Sequence, residues 1–435
     1  MRIHSRPAAA SLALAGVAYA ALTAAPLAAQ DLAIRNATVI TIANGDIEGA
    51  TVLVRNGKIT AVGKNVTIPA GVKVIDGTGK FVMPGVIDAH SHAALENGIN
   101  EGSESVTPEV QVQLKNDDPV IYRALAGGVT AALLLHGSAN TIGGQARIIK
   151  MKWGVPAESM YFKGASRIVK FALGENVTQA NSSTPIDQRR FPATRMGVEF
   201  LVQYWFNKAK DYKKEWDDYN AAVKAKDPNA IKPRRDLRLE ALVDILNGDL
   251  KVHSHSYRGD EILMLIRVAD ENGFKVNTFQ HVLEGYKVAD EIAKHGAMAS
   301  TFADMWAYKE EAYDATPYNM ALMTQRGVVT SVNSDSDERI RRLYQEAGIG
   351  VRYGNMPVNE ALKMVTLNPA RQLGVDKYIG TLEPGKDGDM AVFSAHPFAP
   401  DAMVEYTIID GRVYFDRSMA TTLRKVAEQG PGGSR

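Results

Sequence analysis

Pro84-Gly85-Val86-Ile87-Asp88-Ala89-His90-Ser91-His92 is an apolar run ending in two histidines one residue apart. Side chains in a strand repeat every two residues, so both imidazoles fall on one face. A pair at this spacing is a weak signal alone, since about 0.2 would arise by chance at this histidine content. Later apolar runs strengthen it by ending the same way: Lys251-Val252-His253-Ser254-His255, Thr278-Phe279-Gln280-His281 and Val329-Thr330-Ser331-Val332-Asn333-Ser334-Asp335. Ligand-type residues recurring at strand ends are what a barrel with its site at the C-terminal face requires.

Working outward, strand-like and helix-like stretches alternate from Pro84 to about Ile379, with strands expected to end near His92, Leu135, Met151, Phe171, His255, His281, Phe302 and Asn333. Asp260 to Ala269 and Ala289 to Lys294 read as amphipathic helices between them. The third strand, Ala146 to Met151, is the weakest of the set. Residues 195–247 break the rhythm as a charged helical insertion whose aromatics (Tyr204, Trp205, Tyr212, Trp216, Tyr219) suit helix packing better than substrate stacking. Short β-like runs with Asn44-Gly45 and Asn56-Gly57 turns fill 30–83, and a similar texture returns over 380–417. The two ends therefore pair into one small β-module bracketing the barrel. Residues 418–435 read as a flexible tail.

Composition narrows the chemistry. The 435 residues contain no cysteine and nine histidines, which removes disulfides, Cys-ligated zinc, iron–sulfur clusters and a thiol nucleophile. Lys+Arg 50 against Asp+Glu 49 argues against a nucleic-acid partner bound through phosphates. At the start, Arg2, His4 and Arg6 precede an Ala/Leu-rich run and the small residues Ala28-Ala29, the pattern of a signal peptide over 1–29. Cleavage there removes two arginines and no acid, taking the formal charge from +1 to −1. The expected destination is the periplasm or the exterior, with no stable membrane association afterwards. An uncleaved anchor is the competing reading, weakened by an alanine-rich run that offers little apolar area.

The chain resembles the amidohydrolase superfamily, most closely its imidazolonepropionase-like and Xaa-Pro-dipeptidase-like branches. The resemblance rests on the split β-module, on Asp76-Gly77-Thr78-Gly79-Lys80 leading through Pro84-Gly85 into His90-Ser91-His92, on Leu367-Asn368-Pro369-Ala370, and on Gly380-Thr381-Leu382-Glu383-Pro384-Gly385-Lys386-Asp387-Gly388-Asp389. It implies a (β/α)8 TIM barrel with a small β-sandwich module, one or two divalent metal ions, and hydrolysis of C–N bonds in a small-molecule substrate. Zinc is the commonest fit to a His-rich, cysteine-free set, although manganese, iron and cobalt tolerate the same ligands.

Carried over by residue, the resemblance makes His90, His92, His255, His281 and Asp335 metal ligands. Arg258 and Ile262 follow His255 at the spacing of related branches, which leaves His253 a supporting or core role. Lys170 in Ile168-Val169-Lys170-Phe171 stands where two-metal branches carry a carboxylated, bridging lysine. Glu175 is the alternative bridge, and a single-metal site remains if neither binds. Asp335 and His281 are the expected catalytic pair, with Asp335 moving the proton from water to the leaving nitrogen. His136, Tyr257 and Arg258 are candidate substrate contacts, His136 with a loop hydrogen bond as its alternative and Arg258 with a salt bridge to Asp260 or Glu261. Arg189, Arg190 and Arg195 could join Arg258 in receiving a substrate carboxylate. These readings lead to a secreted amidohydrolase, first of the Xaa-Pro dipeptidase type. A cyclic-amide hydrolase or a non-catalytic metal- or solute-binding barrel stands as the alternative, and a homo-oligomer is left open.

Overall fold

The computed structural model describes residues 30–96, 104–180 and 182–420. The expected leader and residues 421–435 of the expected tail lie outside them.

Eight short strands from the two ends of this span form one hydrogen-bonded sheet. Leu32–Ile40 lies at its middle, paired antiparallel with Asp46–Arg55 and parallel with Lys73–Asp76 and Phe81–Pro84. Phe81–Pro84 then pairs antiparallel with Met390–Phe393, which carries Val404–Ile409 and Arg412–Asp416 beyond it. Strands from both parts of the described chain are thus hydrogen-bonded into one sheet. Its strands bury Leu32, Ile34, Val52, Val54, Val82, Val392 and Ile408 in one core. Asn56 and Gly57 both have positive φ, 50° and 78°, as a two-residue turn between Asp46–Arg55 and Lys58–Gly63 demands.

The long middle supplies two further sheets. Val86–Ser91, Val129–Leu134 and Arg147–Lys150 make one. Thr330–Val332, Met298–Thr301, Val276–His281, Leu250–Ser256, Arg167–Ala172 and Ile142–Gln145 make the other, in that spatial order. Neighbours from Arg167–Ala172 to Thr330–Val332 run parallel, as barrel strands should.

The third expected strand departs from the pattern. Arg147–Lys150 is antiparallel to Val129–Leu134, and Ile142–Gln145 is antiparallel to Arg167–Ala172. Only seven residues separate Leu134 from Ile142, whereas a parallel return needs a crossover of a dozen or more. The chain therefore turns back, and one run split at Ala146 serves both sheets. The sheets are mixed, and among the described residues no ladder closes them into a full eight-stranded parallel ring.

The insertion folds as two helices, Arg195–Lys224 and Leu237–Asn247. Thr194 and Asp236 cap their N-termini by accepting backbone N–H groups, and Gly248 ends the second at φ 80°. Val198, Leu201, Val202, Phe206 and Ala209 share a core with Leu242 and Ile245, and Phe206 stacks on Phe274 at 4.1 Å. Of the aromatics along this helix Tyr212 is buried, Trp205, Trp216 and Tyr219 are half-buried, and Tyr204 is exposed.

A buried lysine joins the middle of the chain to the terminal sheet. Lys150 Nζ reaches Asp387 at 2.7 Å, Asp389 at 3.1 Å and Asp410 at 2.5 Å. Burial would lower its pKa, but the three carboxylates outweigh that and raise it. The three acids could themselves resemble a cation site; Lys150 is the cation that fills it. Lys150→Met should cost about 3–5 kcal/mol by leaving buried acids unpaired. Calorimetry should show that loss as a lower Tm, with the metal affinity of the folded protein unchanged.

Candidate metal centre

Each site residue sits at or just beyond the C-terminal end of a strand, because the strands that carry them run parallel. His90, near the end of Val86–Ser91, is wholly buried, and His92 follows in the next turn. His255 ends Leu250–Ser256, His281 ends Val276–His281, and Asp335 follows Thr330–Val332 by three residues. His90, His92 and Asp335 each offer a ligand atom within 4.8 Å of the others. The His90 ring lies 4.5 Å from that of His281, and His281 lies 4.7 Å from His255. Phe302 stacks against His281 at 4.4 Å and closes one side of the cluster.

These rings are held as neutral ligands would be. Burial, joined by the Lys170 charge, lowers His90 to about 3. His255 and His281 are likewise pushed far below their ordinary value, mainly by burial. Burial alone would raise the Asp335 carboxyl, but His281, His90 and His92 outweigh it and keep the group well below the usual carboxylate range.

The hydrogen bonds leave ring nitrogens over. His92 Nδ1 lies 2.6 Å from the Leu135 carbonyl, to which it must donate, so its other nitrogen faces Asp335 Oδ1 at 2.9 Å. Two such acceptors need a cation between them, a proton or a metal ion. His90 Nδ1, His255 Nε2 and both nitrogens of His281 are buried without a hydrogen-bond partner. Each such group costs about 1–3 kcal/mol, a cost that ligation of a divalent ion removes. Ser138 Oγ, 3.1 Å from His255 Nδ1, orients that ring. The donor set therefore fits a metal.

Lys170 belongs to the same cluster. Its Nζ donates to the His136 carbonyl at 2.7 Å and lies 3.3 Å from His90 Nε2. Glu175, the alternative bridge, turns elsewhere: its carboxylate pairs with Lys309 at 3.1 Å and its N–H donates to Glu311. His253 lies within the strands, with Nδ1 3.0 Å from the Gln280 amide nitrogen.

The expected substrate contacts fare less well. His136 is buried, and both ring nitrogens are spent on backbone: Nδ1 donates to the Gly137 carbonyl at 2.7 Å and Nε2 accepts from Gly144 N–H at 2.8 Å. The short Gly137-to-Gly144 loop wraps the ring, so it is a loop anchor and not a substrate contact. Arg258 is bidentate to Asp260 at 3.0 and 3.1 Å, two residues away on the first turn of helix Gly259–Asn272. Arg195 pairs with Glu261 at 2.6 Å, Arg189 donates to the Thr184 carbonyl, and Arg190 donates to the carbonyls of Glu104 and Ala139. All four guanidiniums thus have partners within the chain, Arg258 in an exposed pair with its near neighbour Asp260.

Tyr257 does border the centre, 4.7 Å from His255 and 5.6 Å from His281 between ring centroids. Its hydroxyl bonds that of Tyr308, and Lys309 lies 4.3 Å over its ring. The Phe302 to Glu311 loop was not singled out in the sequence, because aromatic and charged residues in a loop carry no spacing signal. Two site residues also hold left-handed backbone, His281 at φ 72° and Asp335 at φ 47°. Non-glycine residues tolerate this only where the surroundings enforce it.

The neutral histidines carry a pH signature. His136 and His253 titrate at about 3 in the fold, against about 6.5 unfolded. The unfolded chain thus takes up protons first, and the stability is present above pH 6.5 and drains as pH falls toward 3. Each such histidine contributes roughly 1.4 kcal/mol per pH unit over that window. Thermal melts of chelator-treated protein should show Tm falling steeply from pH 6.5 to 5; a flat profile would refute neutral burial.

Comparison with known proteins identifies the family and the fold. The amidohydrolase family model matches residues 81–414. Amidohydrolase tasK of Hapsidospora irregularis is 30% identical over 395 residues, which is 84% of this chain but 40% of that protein. The chain thus spans well under half the length of that relative. Imidazolonepropionase of Thermoplasma volcanium is 21% identical over 86% of this chain and 92% of its own length. The solved amidohydrolase of Thermotoga maritima MSB8 superposes with a TM-score of 0.80 at 34% identity, covering 89% of this chain and all of that one. A prolidase solved with N-methylphosphonate-L-proline shares the fold at a TM-score of 0.54 and 17% identity, over 89% of this chain and all of that one. With the family match running through the terminal sheet, the histidine strands and Asp335 alike, this TIM-barrel-like α/β chain belongs to the amidohydrolase family, whose members hydrolyse C–N bonds.

Proposed function

We propose that this protein is an exported hydrolase of an amide or peptide C–N bond in a small substrate. The observation that carries the reading is the set of buried, neutral imidazoles with unspent nitrogens gathered around Asp335. His90, His92, His255, His281 and Asp335 would hold a divalent ion, with zinc the best match to their chemistry. Lys170, as a carbamate, would complete a second position. When bound, the ion supplies a water acidified toward neutrality and an electrophile for the scissile carbonyl.

The chain's own groups do the rest. Asp335, kept ionised by its histidine neighbours, accepts the proton of the attacking water and returns it to the leaving nitrogen, since an amide nitrogen leaves poorly as an anion. His281 fixes the other side of that position. Burial holds the Tyr257 hydroxyl far above its ordinary value, so it stays protonated and donates to a substrate oxygen. Phe302 and Tyr257 pack along one side of the cluster, while His92 and Asp335 stay partly open to solvent.

For the substrate, a dipeptide of the Xaa-Pro type is the first class, supported by the fold shared with the prolidase. A neutral cyclic amide, as in an imidazolonepropionase, is favoured by one observation: Arg189, Arg190, Arg195 and Arg258 are all engaged within the fold. A panel of Xaa-Pro dipeptides, N-acyl-amino acids and lactams, run with and without chelator, separates these. Turnover of one class that chelation abolishes and Zn2+ restores is expected. Full metal occupancy with no turnover across the panel would remove the peptidase reading. Export is tested by N-terminal sequencing of protein from a periplasmic fraction, with cleavage after Ala29 expected.

A further inference from the structure

Asp88 belongs to the opening motif, yet no step above uses it. It is wholly buried. One carboxylate oxygen accepts the backbone N–H groups of His90 at 3.2 Å and Ser334 at 3.1 Å. The other accepts the Ser334 hydroxyl at 2.5 Å. That hydroxyl accepts in turn from the Ser336 N–H at 3.2 Å, so its hydrogen is directed at Asp88. The same turn sends the Asp335 N–H to the His90 carbonyl at 3.1 Å.

Asp335 thus follows Ser334, which is bonded twice to Asp88, and precedes Ser336, whose N–H is bonded to the Ser334 hydroxyl; its own backbone is left-handed. Such a conformation persists only where several contacts over-determine it. Val86–Ser91 and Thr330–Val332 belong to different sheets and share no ladder among the described residues. Bonds through Asp88, with the Asp335–His90 bond, take the place of that ladder where the first and last strands meet.

We propose that Asp88 is a positioning residue of the metal centre: through Ser334 it holds the Asp335 carboxylate in register with His90 and His92. It touches neither substrate nor the expected ion. Its two oxygens, on opposite sides of the group, meet three partners from two strand ends at once. The consequence for activity rests on the reading of Asp335 as the proton carrier; the consequence for backbone order does not.

The test is Asp88→Asn in the full-length protein, since an amide cannot accept on both of its sides. In chelator-treated protein, hydrogen exchange at the Ser334 and Asp335 amides should speed by about 10-fold or more while the other strands keep their protection. Zn2+ affinity should weaken by about 10- to 100-fold, the range for groups that orient ligands. On a turned-over panel substrate, kcat should fall by a similar factor with KM unchanged. Added to Asp335→Asn, the change should cause no further loss in kcat, because both act through one group. Ser334→Ala removes one of the three bonds, retains the two backbone bonds, and carries the same test with smaller shifts if Asp88→Asn does not fold. Wild-type exchange at 334–335 together with wild-type Zn2+ affinity would overturn the proposal, as would faster exchange spread evenly over every strand. Local exchange and weaker Zn2+ binding with no panel turnover would uphold it and reject the proposed substrate classes instead.

Discussion

Asp335→Asn is expected to reduce kcat by about 10^3-fold or more, since general acid–base transfer alone contributes about 10^2- to 10^4-fold. The amide is nearly isosteric with the carboxylate and leaves the backbone bond to His90 in place. What it loses is the negative charge that His281, His90 and His92 surround and stabilise. The variant should still bind Zn2+ through the histidines, at reduced affinity. Steady-state kinetics on the substrate found in the panel, with metal content measured on the same sample, checks both points. Full metal-dependent activity in Asp335→Asn would rule out this residue as the proton carrier.

His90→Ala should abolish turnover through loss of metal. Its ring is fully buried and lies at the junction of the cluster, 4.5 Å from His281, 5.3 Å from His92 and 3.3 Å from both Lys170 Nζ and Asp335 Oδ1. Zn2+ affinity should drop by more than the ~100-fold typical when an orienting group is removed. The metal-free variant should remain folded, because the lost packing is offset by removal of a desolvated, unpartnered nitrogen. Equal losses of metal and activity with a retained melting transition would separate ligand loss from unfolding.

Much of the centre was legible because its spacing is local. His-x-His on one strand and polar residues ending later strands follow from the two-residue repeat, and the structure brings those residues together as a set. The insertion and the Asn56-Gly57 turn were legible for the same reason, through helical periodicity and turn chemistry. What stayed hidden depends on partners far apart in sequence. His136 reads like its neighbours at strand ends, and only the return of the chain at Gly144 shows its ring to be spent on the loop. The arginines near 190 resemble an anion site until Glu261 and the loop carbonyls are placed beside them. The run split at Ala146, antiparallel to its neighbours in both sheets, corresponds to the strand whose sequence signal was weakest. Asp88 was in plain view but silent, since its partner Ser334 lies 246 positions away.

The central claim is that these histidines and Asp335 hold a divalent ion. Calorimetric titration of chelator-stripped protein with Zn2+, beside His90→Ala and His281→Ala, tests it directly. The account predicts one or two equivalents bound tightly by the wild type, with a large loss of affinity in both variants. Absence of Zn2+ binding by the wild type, or binding that survives both substitutions unchanged, would contradict it.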